Sequence, residues 1–314
     1  MTHKSYIDAA HGGNGWVPRE ASSLEEQSGI FGNYGQHNEF GKILSVVVHR
    51  PYISEFYMNQ DPSDYHFDQE MSMDKAQDQH DEFVEKLKRC GINVEYLNPE
   101  ISRPNHLYVR DLFTMTKMGA VISRMAAAVR AGEELDALRF MGEKRIPIAA
   151  QVLGEAHFEG PDLVLLNSDL ALCAIGIRSN IFGIKQVSTV LKEFGIDIVP
   201  VQTTYGCGHL DGVLSIVSNK KALIIPRMIS HVAVQTMKMC GYDLIELRDE
   251  DEIGKMAINL LAVDNGVVMI PSDCSNTKIL LEKKGIECVP VDVSELRKGG
   301  GGLHCMTGVL QRES

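Results

Sequence analysis

Four times along the chain, an amphipathic segment with apolar residues at helical spacing runs into a glycine. A short Ile/Val-rich alternation then follows: FVEKLKRCGINVEYL, STVLKEFGIDIVPVQ, TMKMCGYDLIEL and ILLEKKGIECVPVDV. A fainter fifth copy is ALRFMGEKRIPIAA. The helical period predicts a helix, the glycine suits the left-handed residue just past its end, and the alternation predicts a strand. The five glycines, Gly91, Gly142, Gly195, Gly241 and Gly285, recur roughly every 50 residues, the range in which periodicity signals a repeat architecture.

Between the copies lie pairs of strand-like runs, LYVRDLFTMTKMGAVISRM, HFEGPDLVLLNSDLALCAIGI, HLDGVLSIVSNKKALIIP and NLLAVDNGVVMIPS. Each carries a turn signal in its middle: Met118-Gly119, Asn167-Ser168-Asp169, Asn219-Lys220 and Asp264-Asn265-Gly266. A unit of hairpin, helix and strand repeated five times points to radial repetition around an axis. An ordinary α/β sheet protein fits the spacing about as well, because its helix–glycine–strand units look alike. No Pro/Ser linker or charge block divides the chain. Residues 1–36 match neither pattern and read as an arm or cap, with Gly12, Gly13 and Gly15 in loops and Trp16 as its anchor.

Composition narrows the class. With 44% hydrophobic and 23% charged residues the 314-residue chain can bury a large core, which excludes disorder. The longest apolar stretch, Leu163 to Ile177, is broken by Asn167, Ser168 and Asp169, and is too short and polar to span a bilayer. The N-terminus has no apolar run of the signal-peptide kind, so a cytoplasmic location is expected. A net charge of −11 argues against a surface that neutralises phosphates, so no nucleic-acid or membrane partner is expected. Seven cysteines, an odd count, do not form a disulfide framework.

Four stretches carry chemistry. In RKGGGGLHCMTGVLQ, Gly299 to Gly302 precede a strand-like run bearing Cys305. A phosphate loop would need the reverse order, strand then glycines then helix. This reads as a mobile or closely approached loop beside a nucleophilic cysteine, against the bland alternative of a linker and a buried thiol. In GCGHLDGVLSIV, His209 and Asp211 stand two apart on a predicted strand and share a face. An aspartate buried there needs a cationic partner. HFEGPDLVLL supplies Glu159 and Asp162, and RPNHLYVRDLF supplies Asn105, Arg110 and Asp111. Each alone is weak, but together they put a thiol, an imidazole and several carboxylates at the heads of different hairpins, as convergence on one axis would require. Zinc is the lesser alternative: Cys207-x-His209 and His304-Cys305 offer ligands, but no paired spacing occurs.

Taken together, GGGGLHCMTGVLQRE, HLDGVLSIV, FEGPD, PNHLYVRD and NEFGKILSVVVHRP resemble the guanidino-group-modifying superfamily of arginine deiminases, dimethylarginine dimethylaminohydrolases and amidinotransferases. The resemblance runs from about Asn38 to Arg312. It implies an α/β fold, a five-fold pseudosymmetric propeller (the pentein fold) of ββαβ-type modules, with residues 37–314 forming a single catalytic domain. It further implies that Cys305 is the nucleophile, His209 the general acid/base and Glu159 its carboxylate partner. Asp111 and Asp211 fall on the pair that grips the guanidinium. Arg130 and Arg178 fall on or near the arginines that hold a substrate α-carboxylate, with Asn105 beside them. Arg178 stands two residues nearer Gly176 than the resemblance would place it.

The implied reaction needs no cofactor or metal. Two carboxylates hold the guanidinium bidentately in plane. Cys305 attacks its carbon, a thiouronium-type intermediate forms, and His209 protonates the departing amine. An acidic pocket should keep the free thiol protonated until a cationic substrate binds. If water resolves the intermediate, the enzyme is a hydrolase; if an amine does, it is an amidinotransferase. Glu-Gly-x-Asp at Glu159 resembles the hydrolases, whereas Leu303-His304-Cys305 and Thr307 resemble the transferases. The hydrolase is the reading taken, the transferase its alternative, and a non-catalytic guanidino-binding relative a minor third. Pro161, standing where a second glycine is usual, suggests an altered turn at Glu159. The chain lacks the extra helical domain of bacterial arginine deiminases, so the site is expected to be open or covered by residues 1–36. The expected partner is a small guanidino molecule, with a homodimer left open.

Overall fold

The structure is a computed structural model and describes residues 16–27 and 29–313. Gly12, Gly13 and Gly15 of the expected arm lie outside those residues. Among the described residues, fifteen strands form five separate three-stranded sheets, one per module. The first strand pair begins with β1 (Ile43–Val48), followed by α1 (Glu55–Met58), α2 (Met73–Arg89) and β2 (Asn93–Tyr96). The second module holds β3 (Phe113–Thr116), β4 (Gly119–Ile122), α3 (Glu134–Glu143) and β5 (Ile148–Gln151). The third holds β6 (Leu163–Leu165), β7 (Leu170–Ile175), α4 (Ile181–Glu193) and β8 (Asp197–Gln202). The fourth holds β9 (Leu214–Ser218), β10 (Lys221–Ile224), α5 (His231–Met239) and β11 (Asp243–Glu246). After α6 (Glu250–Gly254), the fifth holds β12 (Leu261–Asp264), β13 (Val267–Pro271), α7 (Ser275–Glu282) and β14 (Glu287–Val291). The final strand, β15 (Gly308–Arg312), returns to pair antiparallel with β1, so the two ends of the chain close the ring.

Four modules are an antiparallel hairpin followed by a parallel pairing across the helix, as in β3–β4–β5, and in the first module β15 takes the place of the hairpin's first strand beside β1 and β2. First strands are the innermost: β15 packs on β3 and β12 on β9, and β3, β6 and β9 are buried along their whole length. Third strands are outermost and half-exposed, which explains their alternation in the sequence. The five-module propeller implied by the resemblance is the observed fold, and the ordinary α/β sheet that the repeat left open is not.

The repeat is anchored by a buried pair rather than by its glycine. Just past the helix that precedes each third strand (α2, α3, α4, α5 and α7), an apolar residue donates its N–H to the carbonyl of a buried residue five positions earlier: Ile92 to Leu87, Ile146 to Met141, Ile196 to Leu191, Tyr242 to Met237 and Ile286 to Leu281. This is the Schellman closure, which forces the intervening residue into the left-handed region. Gly91, Gly195, Gly241 and Gly285 fill it with φ between 71° and 80°. The fifth copy departs from expectation. Gly142 lies inside α3, and Arg145 takes the left-handed position at φ 55°. The apolar pair Met141/Ile146 sets the helix end, so the chain accepts the strain of a non-glycine there.

Tyr34 is buried in the core around β3, and Gly35 exchanges backbone hydrogen bonds with Leu310 and Arg312 along β15. Trp16 is half-buried. No described helix is long and apolar enough to cross a membrane.

Candidate active site

Each innermost strand is preceded by a tight turn, and these turns deliver the polar residues to one end of the axis. One-turn 3-10 helices at Val109–Leu112, Gly160–Asp162 and Leu210–Gly212 carry Asp111 as third residue of the first, Glu159 and His209 just before the second and third, and Asp211 as second residue of the last. They converge on a cavity of about 400 Å³. Cys305, His209, Asp111, Asp211, Asn105, Arg130 and Arg178 all line it, and Glu159 lies fully buried beside His209. None of the described residues before His66 lines the cavity; the segment carrying His66 and Asp68 flanks it instead. That segment is tied down by Asn105 Nδ2 donating to the Tyr65 carbonyl at 2.6 Å and by Asp68 N–H donating to the Lys298 carbonyl.

His209 Nε2 lies 2.8 Å from Glu159 Oε2. Burial opposes the imidazolium, but the field of Asp111 and the Glu159 hydrogen bond outweigh it and raise the pKa to about 9. Burial likewise opposes the Glu159 carboxylate, yet the His209 hydrogen bond and charge, with Arg130 and Arg178, hold it below the usual range. The other Glu159 oxygen accepts the Ala126 N–H at 3.0 Å. Pro161 fits the turn: it occupies the first part of a 3-10 helix, where no N–H is needed. Gly160 packs against the carbonyls of Arg110 and Phe113, a contact no Cβ would permit. Asp162 accepts from Ser179 Oγ at 2.5 Å and from Leu210 N–H at 3.1 Å, which fixes the His209 turn to the Glu159 turn.

Both candidate guanidinium carboxylates have one oxygen already engaged. Asp111 Oδ2 pairs with Arg130, while Asp111 Oδ1 is buried without any hydrogen-bond partner. Asp211 Oδ2 faces His304 Nδ1 at 2.8 Å, Asn259 Nδ2 at 3.1 Å and Cys305 Sγ at 3.6 Å. Each carboxylate therefore has its Oδ2 engaged within the protein and its Oδ1 without a hydrogen bond from the described residues. Burial opposes the Asp211 charge, but His304 outweighs it and lowers the pKa.

The Cys305 thiol is pushed well up, first by burial and then by Asp211 and Asp111. The glycine run before it is a closely approached loop: Gly299 and Gly301 lie against Tyr108, and Gly302 against Asn259. Cys207 also lines the cavity; its thiol donates to the His209 carbonyl at 3.0 Å, and burial, then Asp211, push its pKa up to about 12.

Arg130 is fully committed. Its Nε donates to Glu133 at 2.9 Å, Nη1 to Asp111 and Nη2 to the Asn105 carbonyl. Arg178 keeps a freer guanidinium, at 3.4 Å from Glu159 Oε2 and with 22% of its side chain exposed. Asn259, Tyr108, His66 and Asp68 carry no chemical signal in the sequence, and His304 enters there only as a weighed zinc ligand and a transferase-like neighbour of Cys305. Asn259 had one legible signal, its place as the first residue of the NLLAVDNGVVMIPS hairpin run.

Among the described residues, one group of metal-ligand side chains has its ligand atoms within 4.8 Å of one another: Asp111, Glu159 and His209. Asp111 pairs with Arg130 and Glu159 with Arg178, and neither cysteine weighed for zinc belongs to the group.

A five-module α/β propeller with a thiol, an imidazole and paired carboxylates at one end of its axis defines a member of the guanidino-group-modifying pentein superfamily. Within it, the chain belongs to the N,N dimethylarginine dimethylhydrolase family, eukaryotic, whose model matches residues 54–312. It is 28% identical over 275 residues to the YkgA protein of Bacillus subtilis, covering 87% of this chain and 94% of that one. It is 25% identical over 239 residues to the N(G),N(G)-dimethylarginine dimethylaminohydrolase of Pseudomonas aeruginosa, covering 74% and 87%. The solved structure of that enzyme complexed with citrulline superposes with a TM-score of 0.72 at 21% identity, covering 85% of this chain and 99% of that one. SxtG, an amidinotransferase from Microseira wollei, superposes with a TM-score of 0.75 at 15% identity, covering 90% and 98%. At these identities the two structures speak to the fold.

Proposed function

We propose that the protein hydrolyses the guanidino group of arginine or a substituted arginine, with Cys305 as nucleophile, His209 as acid then base, and Glu159 as its partner. The observation that carries this reading is the buried Oδ1 of Asp111, without a hydrogen-bond partner, on a residue that lines the same cavity as the Cys305 thiol and the His209 imidazole. An orphan carboxylate oxygen is costly unless a ligand donor completes it. A planar cation with several N–H groups suits it, with Asp211 gripping from the other side.

At neutral pH His209 is protonated and the free thiol is not ionised. Binding of a guanidinium between Asp111 and Asp211 offsets the negative field on Cys305, and the thiol releases its proton to solvent. The thiolate adds to the guanidinium carbon, the carbon–nitrogen bond breaks, and the His209 proton goes to the departing amine. His209, now neutral and held by Glu159, takes a proton from water. The hydroxide adds to the thiouronium carbon, the carbon–sulfur bond breaks, the hydroxyl proton passes to the departing thiolate, and a neutral ureido product leaves. Arg178, with its freer guanidinium, suits an α-carboxylate, with Asn105 and Arg130 shaping that end. An aliphatic wall of Ile225, Met228, Ile253, Met256 and Ile258 on the same cavity suits alkyl groups on a substituted guanidine.

The test is incubation with arginine and with methylated arginines, with and without glycine or lysine as acceptor. Ureido product without acceptor supports the hydrolase. Turnover only with the acceptor overturns it in favour of amidino transfer, and no turnover in any arm overturns both.

A further inference from the structure

Asn259 stands outside the acid–base pair and the two guanidinium carboxylates, yet it touches both partners of the first chemical step. Its Oδ1 accepts the backbone N–H of Cys305 at 3.1 Å and of His304 at 3.1 Å, while its Nδ2 donates to Asp211 Oδ2 at 3.1 Å. The side chain is 2% exposed, so all these groups depend on one another for their hydrogen bonds.

The chain is shaped to deliver it. The turn after α6 passes through Met256, a non-glycine residue at φ 62°, and closes with Asn259 N–H donating to the Met256 carbonyl at 2.9 Å. Left-handed backbone at a bulky residue persists only where the surroundings enforce it, and such strain gathers at functional sites. Ser215 on β9 binds the Ile258 carbonyl and holds the turn from the other side. On the facing loop a Cβ at position 302 would meet Asn259 Oδ1 at 2.8 Å and its Cβ at 3.0 Å, so only glycine there admits the amide.

We infer that Asn259 is a positioning residue that fixes the nucleophile turn and the Asp211 carboxylate to each other. Its oxygen orients the Cys305 backbone. Its nitrogen, with His304, occupies Asp211 Oδ2 and so leaves Oδ1 as the oxygen for the substrate. An amide is required for this, since it offers an acceptor and a donor from one planar group. Aspartate has no donor and would set a second negative charge against Asp211, and leucine has neither function. The electrostatic consequence falls on Cys305: every donor on Asp211 weakens the negative field that keeps the thiol protonated.

This inference extends the proposed guanidino chemistry, but its test does not need a turned-over substrate. The pH dependence of iodoacetamide labelling of Cys305, followed by mass spectrometry of its peptide, reads the thiol directly in the free protein. Asn259→Ala and the near-isosteric Asn259→Asp should both move the labelling midpoint upward, with Asn259→Asp moving it further. If Asn259→Ala melts early, Asn259→Asp carries the test, because it preserves the packing against Gly302. Where turnover of a guanidino compound is measurable, both variants should lose about 10²-fold in kcat with a smaller change in KM, the cost expected of misplaced reacting groups. An unchanged midpoint in folded Asn259→Ala and Asn259→Asp overturns the inference. Absence of turnover in the unmodified protein overturns the proposed function and leaves the labelling result to judge Asn259.

Discussion

Glu159 Oε2 and His209 Nε2 meet at 2.8 Å; the field of Asp111 and then this hydrogen bond hold His209 in its charged form, and His209 does the same for Glu159. The His209 pKa is raised to about 9, from an ordinary value near 6.5. The pair therefore contributes its His209 share of stability fully below about pH 6.5 and loses it as the pH rises through about 9. The lowered Glu159 pKa works in the opposite sense: its share is present above the ordinary carboxylate range and is lost on acidification below it. For the reaction, kcat/KM should fall on an alkaline limb near pH 9, where the acid for the leaving amine disappears. Glu159→Gln should move that limb toward neutrality and lower the rate at neutral pH by ~10²-fold or more. A pH–rate profile of Glu159→Gln with an unmoved alkaline limb would show that another group titrates there.

The Cys305 thiol is held protonated in the free protein by burial and by Asp211 and Asp111. Difference absorbance between the unmodified protein and Cys305→Ser should accordingly show no thiolate at neutral pH. Cys305→Ser should still bind guanidino compounds, detected by calorimetry, and should turn none over. A thiolate band at neutral pH in the free protein would remove the need for the substrate's charge.

Asp211→Asn should separate two effects that act through one carboxylate. Removing the negative charge 3.6 Å from Sγ makes the thiol easier to ionise, so labelling of Cys305 should become faster at neutral pH. The same change removes the charged hydrogen bond proposed to hold the guanidinium, worth about 1.5–3 kcal/mol, so binding should weaken by ~10- to 100-fold. Asp111→Asn should weaken binding at least as much, because it also releases the buried Arg130. Faster labelling together with unchanged binding in Asp211→Asn would place the guanidinium elsewhere.

The repeat was legible because a five-module propeller writes the same buried pair after the helix that precedes each third strand, and four modules mark the turn with glycine. The second module was read in the wrong register at Gly142, since propensity favours glycine at the turn while the Met141/Ile146 pair decides where the helix ends. The heads of the hairpins were legible wherever a charged residue or a cysteine interrupts an apolar run, as at Asp111, Asp211 and Cys305. Asn259 occupies the same place before β12, yet a neutral amide beside two leucines looks like ordinary core. The His66–Asp68 segment was invisible for another reason: it reaches the cavity through backbone contacts to Lys298 and Asn105, which no local pattern encodes.

The glycine run before Cys305 provides the sharpest contrast between a glycine needed for space and one needed for conformation. At Gly302 an added Cβ would press on Asn259 Oδ1 at 2.8 Å, and Asn259 cannot withdraw without releasing the Cys305 and His304 N–H groups. Gly302→Ala should cost about 1–3 kcal/mol through overpacking and should depress turnover by more than its loss of stability accounts for. At Gly241, φ is 80° and no atom lies within 4 Å of the added carbon. Gly241→Ala should therefore cost about 1–2 kcal/mol from left-handed backbone strain alone, with kcat and KM unchanged. Thermal melts paired with steady-state kinetics on the two variants check this. Equal effects on turnover at equal loss of stability would mean that the approach of Gly302 to Asn259 is only packing.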